Sequence, residues 1–202
     1  MVISPVLRAQ VAFDVHINTS ALIGHPSGPF YLDFQLNDGS GLGNGNNTAT
    51  VSQFNFHGGG PLPDLAAFGG VTGNLNSAVT LTDSAFLNEF FQAFTPGSSL
   101  DFRLTLTTAV EAPTPDLFAF SILDKDLFSL PTFSSSDAFA LINLTGPTPD
   151  VQSFAGNVAE GGIAISAPVI MKVPERSSLG DCMMAAIILA GGVLWKRRRA
   201  HA

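Results

Sequence analysis

The segment SLDFRLTLTT, residues 99–108, decides the fold class of this 202-residue chain. Its side chains alternate without interruption, with Leu100, Phe102, Leu104 and Leu106 on one side and Asp101, Arg103, Thr105 and Thr107 on the other. Alternation with a period of two is typical of a strand that buries one face and exposes the other. The segment therefore predicts an antiparallel sheet that packs one face against a core.

Shorter runs with strand character recur along the chain, namely QVAFDVHI, FYLDFQL, VSQFNF, VTGNLNSAVTLT, LFAFSILD, FALINLTG and GGIAISAPVI. Clusters of turn-forming residues separate them, namely NDGSGLGNGNN, HGGGPLP, FTPGSS, APTP and GPTP. Short strands at this spacing are typical of an antiparallel sandwich or barrel. The sequence predicts an all-β fold, a jelly-roll-like antiparallel β-sandwich over residues 11–170, after a short N-terminal remnant at residues 1–10.

One segment departs from the period of two. In DSAFLNEFFQAF, residues 83–94, the apolar residues recur at helical spacing, namely Phe86, Leu87, Phe90, Phe91 and Phe94. Asp83 or Ser84 is a suitable N-terminal cap, and Pro96-Gly97 is a suitable stop. The spacing predicts a short helix that covers one end of the sandwich.

The charge of the chain is unevenly distributed. Residues 9–171 carry two basic residues, Arg103 and Lys125, against fourteen acidic ones, for a formal charge of −12. A surface of this sign repels nucleic acid and anionic lipid, so the main domain is not predicted to bind nucleic acid. The single cysteine, Cys182, excludes an intrachain disulfide and a zinc site built from cysteines.

Few residues form a pattern that indicates a metal, cofactor or catalytic site. Asp38, in the loop Asn37–Asn47, and Asp124 and Asp126, in LDKD, are weak calcium candidates. The competing interpretation is a flexible hairpin loop for Asp38 and a solvated turn with Lys125 for Asp124 and Asp126. The histidines, among them His16 and His57, lack the spacing of metal ligands. We predict no cofactor and no enzymatic activity, although the many carboxylates leave a glycan hydrolase open because only their separation in space decides that chemistry.

The C-terminal segment VPERSSLGDCMMAAIILAGGVLWKRRRA, residues 173–200, combines an acidic motif, an apolar run and a basic end. As a helix, the seventeen residues 179–195 are roughly 25 Å long, marginally enough for a hydrocarbon core of about 30 Å. We predict a single transmembrane helix whose apolar positions include Leu179, Met183, Ile187, Ile188, Leu189, Val193, Leu194 and Trp195. The alternative is a C-terminal core helix, which a run that is apolar on all faces fits poorly.

This order of elements resembles the PEP-CTERM sorting signal of bacterial surface proteins. The motif is Val173-Pro174-Glu175-Arg176, with Arg176 where the family usually has a second proline, and the basic end is Lys196, Arg197, Arg198 and Arg199. The stretches LDFQLNDGSG, FNFHGGG, VTLTDSAFLNEFFQAFTPGSSLDFRLTLT and PDLFAFSILD are similar to the ectodomain of an uncharacterised PEP-CTERM family. The resemblance covers most of the chain and implies no known activity for the ectodomain.

The resemblance implies a route for the protein. The chain would be exported, held transiently in the inner membrane by residues 171–202, and cut near the Pro-Glu pair by an exosortase. Its destination would be the cell surface or the extracellular matrix, with exopolysaccharide as a candidate partner. Because basic residues stay in the cytoplasm, residues 196–199 should lie inside and residues 1–171 outside.

Export of a large N-terminal domain requires a leader. The start MVISPVLR lacks the basic region and apolar run of one, so we expect the leader to lie upstream of Met1. An alternative function for the ectodomain is a carbohydrate-binding module of the cell surface. Trp195 belongs to the tail and Tyr31 is the only tyrosine, which argues against an aromatic platform for sugars.

Overall fold

Strands make up about half of residues 10–41, 43–109 and 114–174, which the computed structural model describes. The strands are β1 (Gln10–Asn18), β2 (Phe30–Asn37), β3 (Thr48–Asn55), β4 (Gly60–Phe68), β5 (Gly70–Gly73), β6 (Ala78–Thr82), β7 (Leu87–Thr95), β8 (Ser99–Thr107), β9 (Leu117–Leu123), β10 (Ala140–Asn143), β11 (Asp150–Ser153) and β12 (Val169–Lys172). Two single-turn 3₁₀ helices, Ser20–Leu22 and Val158–Glu160, are the helical elements of this part of the chain. The all-β prediction is confirmed.

The strands form two antiparallel sheets of six strands each within the described residues. Sheet A has the order β12-β1-β8-β3-β6-β5, and sheet B has the order β11-β10-β9-β2-β7-β4. Apolar side chains from both sheets form one continuous core between them, as in a β-sandwich. The two antiparallel sheets are therefore consistent with the predicted β-sandwich.

β8 lies in the interior of sheet A and matches its sequence pattern. Leu100, Phe102, Leu104 and Leu106 are each at most 3% exposed, whereas the alternate residues Asp101 and Arg103 face outward. Phenylalanine rings join the two sheets, since the ring centroid of Phe102 in β8 lies 5.5 Å from that of Phe34 in β2 and 5.3 Å from that of Phe120 in β9. Edge-to-face contacts of this kind add to the stabilisation that burial of the rings provides.

The prediction of a helix over residues 83–94 is wrong, because most of this segment belongs to strand β7 in the interior of sheet B. The inner face of β7 carries Phe90 and Phe94 together with two buried amides, Asn88 and Gln92. Asn88 donates to the carbonyl oxygens of Leu36 and Ala85, and Gln92 donates to that of Leu62. Polar residues at core-facing positions conceal the period of two, and the remaining apolar residues then imitate a helix.

Two further segments differ from their predicted form. HGGGPLP was predicted as a turn, but its second half begins β4, a strand at the edge of sheet B. Proline is tolerated there because an edge strand leaves some of its N–H positions unpaired. In GGIAISAPVI, Ile163 and Ile165 are buried in irregular structure and only the end belongs to β12.

The described N- and C-terminal strands are neighbours. β12 pairs antiparallel with β1, with Phe13 opposite Lys172 and His16 opposite Val169. The pairing continues one residue further, since the N–H of Val173 donates to the carbonyl oxygen of Ala12 over 2.8 Å. The two described ends of the chain therefore leave the sandwich at the same end of sheet A.

Candidate functional site

A polar cavity of about 460 Å³ lies on the outer face of sheet A. It is lined by Asp14, Val15, His16, Gln53, Asn55, Asp101, Phe102, Arg103 and Met171. These residues come from β1, β3, β8 and β12, which are adjacent in the sheet. A concave site with a few convergent polar groups is the usual form of a small-molecule site.

Strand register explains why these side chains meet. β1 and β8 are paired so that Asp14 lies opposite Arg103 and His16 lies opposite Asp101. On the far side of β8, Asn55 of β3 lies opposite Asp101. Because alternate residues of a strand share a face, the outward positions form two polar rows across the sheet.

The first row contains a two-pronged ion pair. The Nε of Arg103 lies 2.9 Å from Oδ1 of Asp14, and its Nη2 lies 3.1 Å from Oδ2. A fork of two parallel hydrogen bonds holds both side chains in one geometry. The Nη1 group of Arg103 has no hydrogen-bond partner among the described residues.

The second row places one carboxylate between two imidazoles. Nδ1 of His16 and Nε2 of His57 each lie 2.5 Å from a different oxygen of Asp101. Partial burial acts to raise the pKa of Asp101, but the hydrogen bonds from His57 and His16 outweigh it and the net pKa is lowered. Asp101 is therefore an anion that accepts from both histidines.

The turn between β7 and β8 holds the backbone of His57 in place. The N–H of Ser98 donates to the carbonyl oxygen of His57 over 3.2 Å. A Cβ on Gly97 would lie 1.8 Å from the carbonyl oxygen of Phe56, so only glycine permits this close approach. The approach sets the position from which His57 reaches Asp101.

A β-bulge forms one wall of the cavity. The register between β3 and β8 shifts between Ser52 and Asn55, and within the shift Gln53 has a φ of 57°. This left-handed conformation costs a residue with a side chain roughly 1–2 kcal/mol. Bulges re-aim side chains, and the exposed amide of Gln53 lines the cavity without a hydrogen-bond partner among the described residues.

The arrangement is suited to binding and poorly suited to acid catalysis. A general acid needs a raised pKa, whereas that of Asp101 is lowered and Asp14 is held by Arg103. Outside the cavity, sheet B carries two neighbouring carboxylates of the kind that a glycan hydrolase requires. Asp33 and Glu89 both accept a hydrogen bond from Nε2 of Gln35, over 2.9 and 3.1 Å. Asp33 is only 1% exposed, so a substrate has no access to it.

Asp38, one of the calcium candidates, organises its own loop. Its Oδ1 accepts from Ser40 and from the N–H of Gly41, and its Oδ2 accepts from the N–H groups of Gly43 and Asn44. Burial acts to raise the pKa of Asp38, but the hydrogen bonds from Ser40 and the backbone lower it overall. The carboxylate is thus used inside the loop.

The other two calcium candidates lie in a separate turn. Oδ1 of Asp124 accepts from the N–H groups of Asp126 and Phe128 over 2.9 and 3.0 Å, and Asp126 pairs with Lys125. No group of three or more His, Cys, Asp or Glu side chains is placed to hold a metal ion in the described part of the chain. The three candidates thus serve turns in the described structure.

Replacing Asp38 with alanine is expected to lower the free energy of unfolding by about 1–3 kcal/mol, because several N–H groups lose a charged acceptor. Urea denaturation followed by circular dichroism measures the loss. Asp126→Ala is the matched control, since this exposed carboxylate pairs with Lys125 alone among the described residues and should change stability by about 0.5 kcal/mol or less. Equal losses for the two variants would refute the role of Asp38 in the loop.

The predicted sorting motif begins directly after β12, the last strand of the described residues. Val173 is half-buried beside β1 and Pro174 is exposed. Glu175, Arg176, the predicted helix at 179–195 and the basic end at 196–199 lie outside the described residues. Within the described ranges, no helix is long and apolar enough to span a membrane.

Sequence reasoning did not assemble the cavity. The outward positions of Asp14, His16, Asp101 and Arg103 were visible in the alternation of β1 and β8. Their partnership depends on register, and the contribution of Gln53 depends on a bulge. The cavity could have been suspected from one signal, which is that two strongly alternating strands each carry a charged residue at the middle.

Comparison of the chain with protein-family models, with curated proteins and with solved structures finds no match. The function of the chain therefore has to be argued from its own residues and geometry.

Proposed function

We propose that the chain is an exported bacterial surface protein with a structural or interaction role, delivered by its C-terminal segment. The observation that carries the proposal is the position of Val173-Pro174, which follows directly on the last strand of the sandwich. A processing enzyme would find Pro174 exposed at the edge of the domain. Cleavage after this point would release a sandwich that contains all the strands of the described residues.

The geometry of the chain ends supports the same route. The described ends leave sheet A at the same end, so an N-terminal leader and a C-terminal anchor would both face the membrane. The basic residues 196–199 would remain in the cytoplasm. The acidic sandwich would stand away from the anionic lipid surface that repels it.

The strand order supports a jelly-roll interpretation of the ectodomain. The consecutive neighbours β1-β8-β3-β6 in one sheet and β2-β7-β4 in the other form the nested pairing that a rolled-up hairpin produces. The polar cavity lies on the outer face of sheet A, where β1, β8 and β3 of this order are adjacent.

Replacing Pro174 and Glu175 together with alanine is expected to block processing. In a host that carries an exosortase, the double variant should accumulate as an uncleaved, membrane-bound form, while the unchanged protein appears in the surface or medium fraction at lower mass. Immunoblotting of membrane, surface and medium fractions with an antibody against the sandwich measures both mass and location.

Pro147→Ala combined with Asp150→Ala is the matched control. It removes an exposed proline just before β11 and the exposed acid that begins β11, an edge strand of the other sheet. This control should be processed like the unchanged protein. If the Pro174 and Glu175 variant shows unchanged mass and location, the sorting proposal is wrong.

A further inference from the structure

We propose that the polar cavity of sheet A binds a short neutral saccharide through hydrogen bonds to its hydroxyl groups. The inference rests on the proposed surface role for its biological setting and names the chemical class of the partner. The cavity volume of about 460 Å³ lies in the range of roughly 300–1,000 Å³ that is usual for small-ligand sites. The ligand would therefore be a monosaccharide or a short oligosaccharide end.

The unpaired polar groups of the cavity match a polyhydroxylated ligand. Nε2 of His16, Nη1 of Arg103 and the side-chain amide of Gln53 form no hydrogen bond with the described residues. The amide nitrogen of Asn55 is also unpaired, since only its oxygen is used, by the N–H of His57. Each sugar hydroxyl both donates and accepts, so a mixed set of donors and acceptors on one surface binds it well.

The charges in the cavity oppose an anionic ligand. Arg103 neutralises Asp14, whereas the Asp101 carboxylate, which accepts from both histidines, keeps its negative charge. The domain around the site is strongly acidic, with two basic residues against fourteen acidic ones over residues 9–171. An anionic saccharide would be repelled on approach, because the field of the whole domain acts beyond the individual contacts.

The spacing of the rows suits a ring with hydroxyls on several carbons. Neighbouring strands lie about 4.8 Å apart, and outward residues of one strand lie about 6.7 Å apart. Polar groups at these intervals reach different hydroxyls of one sugar. Met171, 59% exposed on β12, supplies an apolar surface at the rim for the carbon face of the ring.

Gln53 is the residue that separates a binding role from a structural one. Its left-handed backbone is a conformation that glycine adopts without strain, so Gln53→Gly should fold at least as stably as the unchanged chain. The same change removes the amide from the cavity. A variant that keeps its stability and loses affinity would identify Gln53 as a binding residue.

Asp101 and His57 have a different role from Gln53. His57 is absent from the cavity lining and contacts Asp101 from the side of the β3–β4 turn. It is a positioning residue, which holds the carboxylate toward His16 and the cavity. Asp101→Asn keeps the shape of the side chain but weakens both histidine contacts, so it should reduce affinity by about tenfold or more.

The test begins with the full-length chain, purified in mild detergent and applied to a printed array of neutral and uronic-acid-containing oligosaccharides. The neutral oligosaccharide with the strongest signal is then titrated calorimetrically into the unchanged chain and the variants Gln53→Gly and Asp101→Asn. Thr80→Ser, on the outer face of the same sheet but outside the cavity, is the matched control. Urea denaturation of each variant accompanies the titration.

The expected result is binding of neutral glycans, an unchanged affinity for Thr80→Ser, and an affinity lowered about tenfold or more for both cavity variants. Absence of any array signal, binding only to uronic acids, or equal affinity in all variants would overturn the proposal. Failure of the sorting experiment would remove the surface role without touching this result, since the binding assay needs no exosortase.

Discussion

Replacing Phe34 with alanine is expected to lower the free energy of unfolding by about 3–5 kcal/mol. The Phe34 side chain is fully buried in β2, in the interior of sheet B. Its ring packs against those of Phe102 and Phe120, with centroid distances of 5.5 Å each, and it stacks near Phe90 and Phe118. Truncation would remove contacts with both sheets at once and leave a cavity that the rigid sheets cannot close.

Urea denaturation followed by far-ultraviolet circular dichroism measures this loss. Phe128→Ala is the matched control because its ring is 72% exposed, so its removal should change stability by about 0.5 kcal/mol or less. Phe34→Leu should cost less than Phe34→Ala, since leucine refills part of the volume. A loss for Phe34→Ala no greater than that for Phe128→Ala would contradict the central position of this ring.

The second large effect is expected at Asp33, whose replacement by asparagine should stabilise the protein above neutral pH. Burial and the nearby charge of Glu89 raise the pKa of Asp33 to about 7, while a hydrogen bond from Gln35 opposes them. One oxygen of this carboxylate has no hydrogen-bond partner within the described structure. The ionised form is therefore poorly accommodated in the folded state.

The sign of the pH dependence follows from proton binding. Between about pH 4 and pH 7 the folded state holds a proton on Asp33 that the unfolded state has released. The stability that this proton provides is present at low pH and is lost as the pH rises toward 7. Over about three pH units the loss reaches up to roughly 4 kcal/mol, which asparagine would avoid.

Denaturation at several pH values between 5 and 8 tests this expectation. The unchanged chain should lose stability across the interval, and Asp33→Asn should show a flatter profile and exceed it at pH 8. Glu89→Gln is the comparison, since the pKa of Glu89 is also raised by burial and its charge acts on Asp33. Parallel profiles for the unchanged chain and Asp33→Asn would show that Asp33 does not titrate in this interval.

The acid side of the profile has a different origin. The pKa values of Asp38 and Asp101 are both lowered in the folded state. Their ionised forms therefore stabilise the fold at pH values above about 4, the ordinary pKa of an aspartate. That contribution is lost as the pH falls through the lowered values. These windows lie below that of Asp33. Burial raises the pKa of Asp83 to about 6, within the Asp33 window, so the effect of Asp33 is read from the difference between the unchanged chain and Asp33→Asn.

Strand β7 shows where local pattern fails. The spacing of Phe86, Leu87, Phe90 and Phe91 is that of a helix, but Asn88 and Gln92 are core-facing residues of a strand. Their amides are buried because backbone groups of neighbouring segments pair with them. Such pairing is a tertiary property, and a sequence pattern that assigns polar residues to the outside misses it.

The cavity, like β7, could not be predicted from local sequence pattern. His57 and Asp101 are 44 residues apart in sequence, and Asp14 and Arg103 are 89 apart. No local spacing rule relates such residues, since metal and catalytic motifs are recognised by short intervals. The predicted sorting tail has the opposite character, because its meaning depends on the linear order of motif, apolar run and basic end.

The sequence by itself determined the all-β class, the acidic character of the domain and the outward positions of Asp101 and Arg103. These follow from period-two alternation and from composition, which are local properties of the chain. Only the tertiary structure decided that residues 87–95 form a strand, that Asp38 organises a loop, and that residues of four adjacent strands line a polar cavity. The physical reason is register, which aligns residues distant in sequence and depends on the packing of the whole sheet.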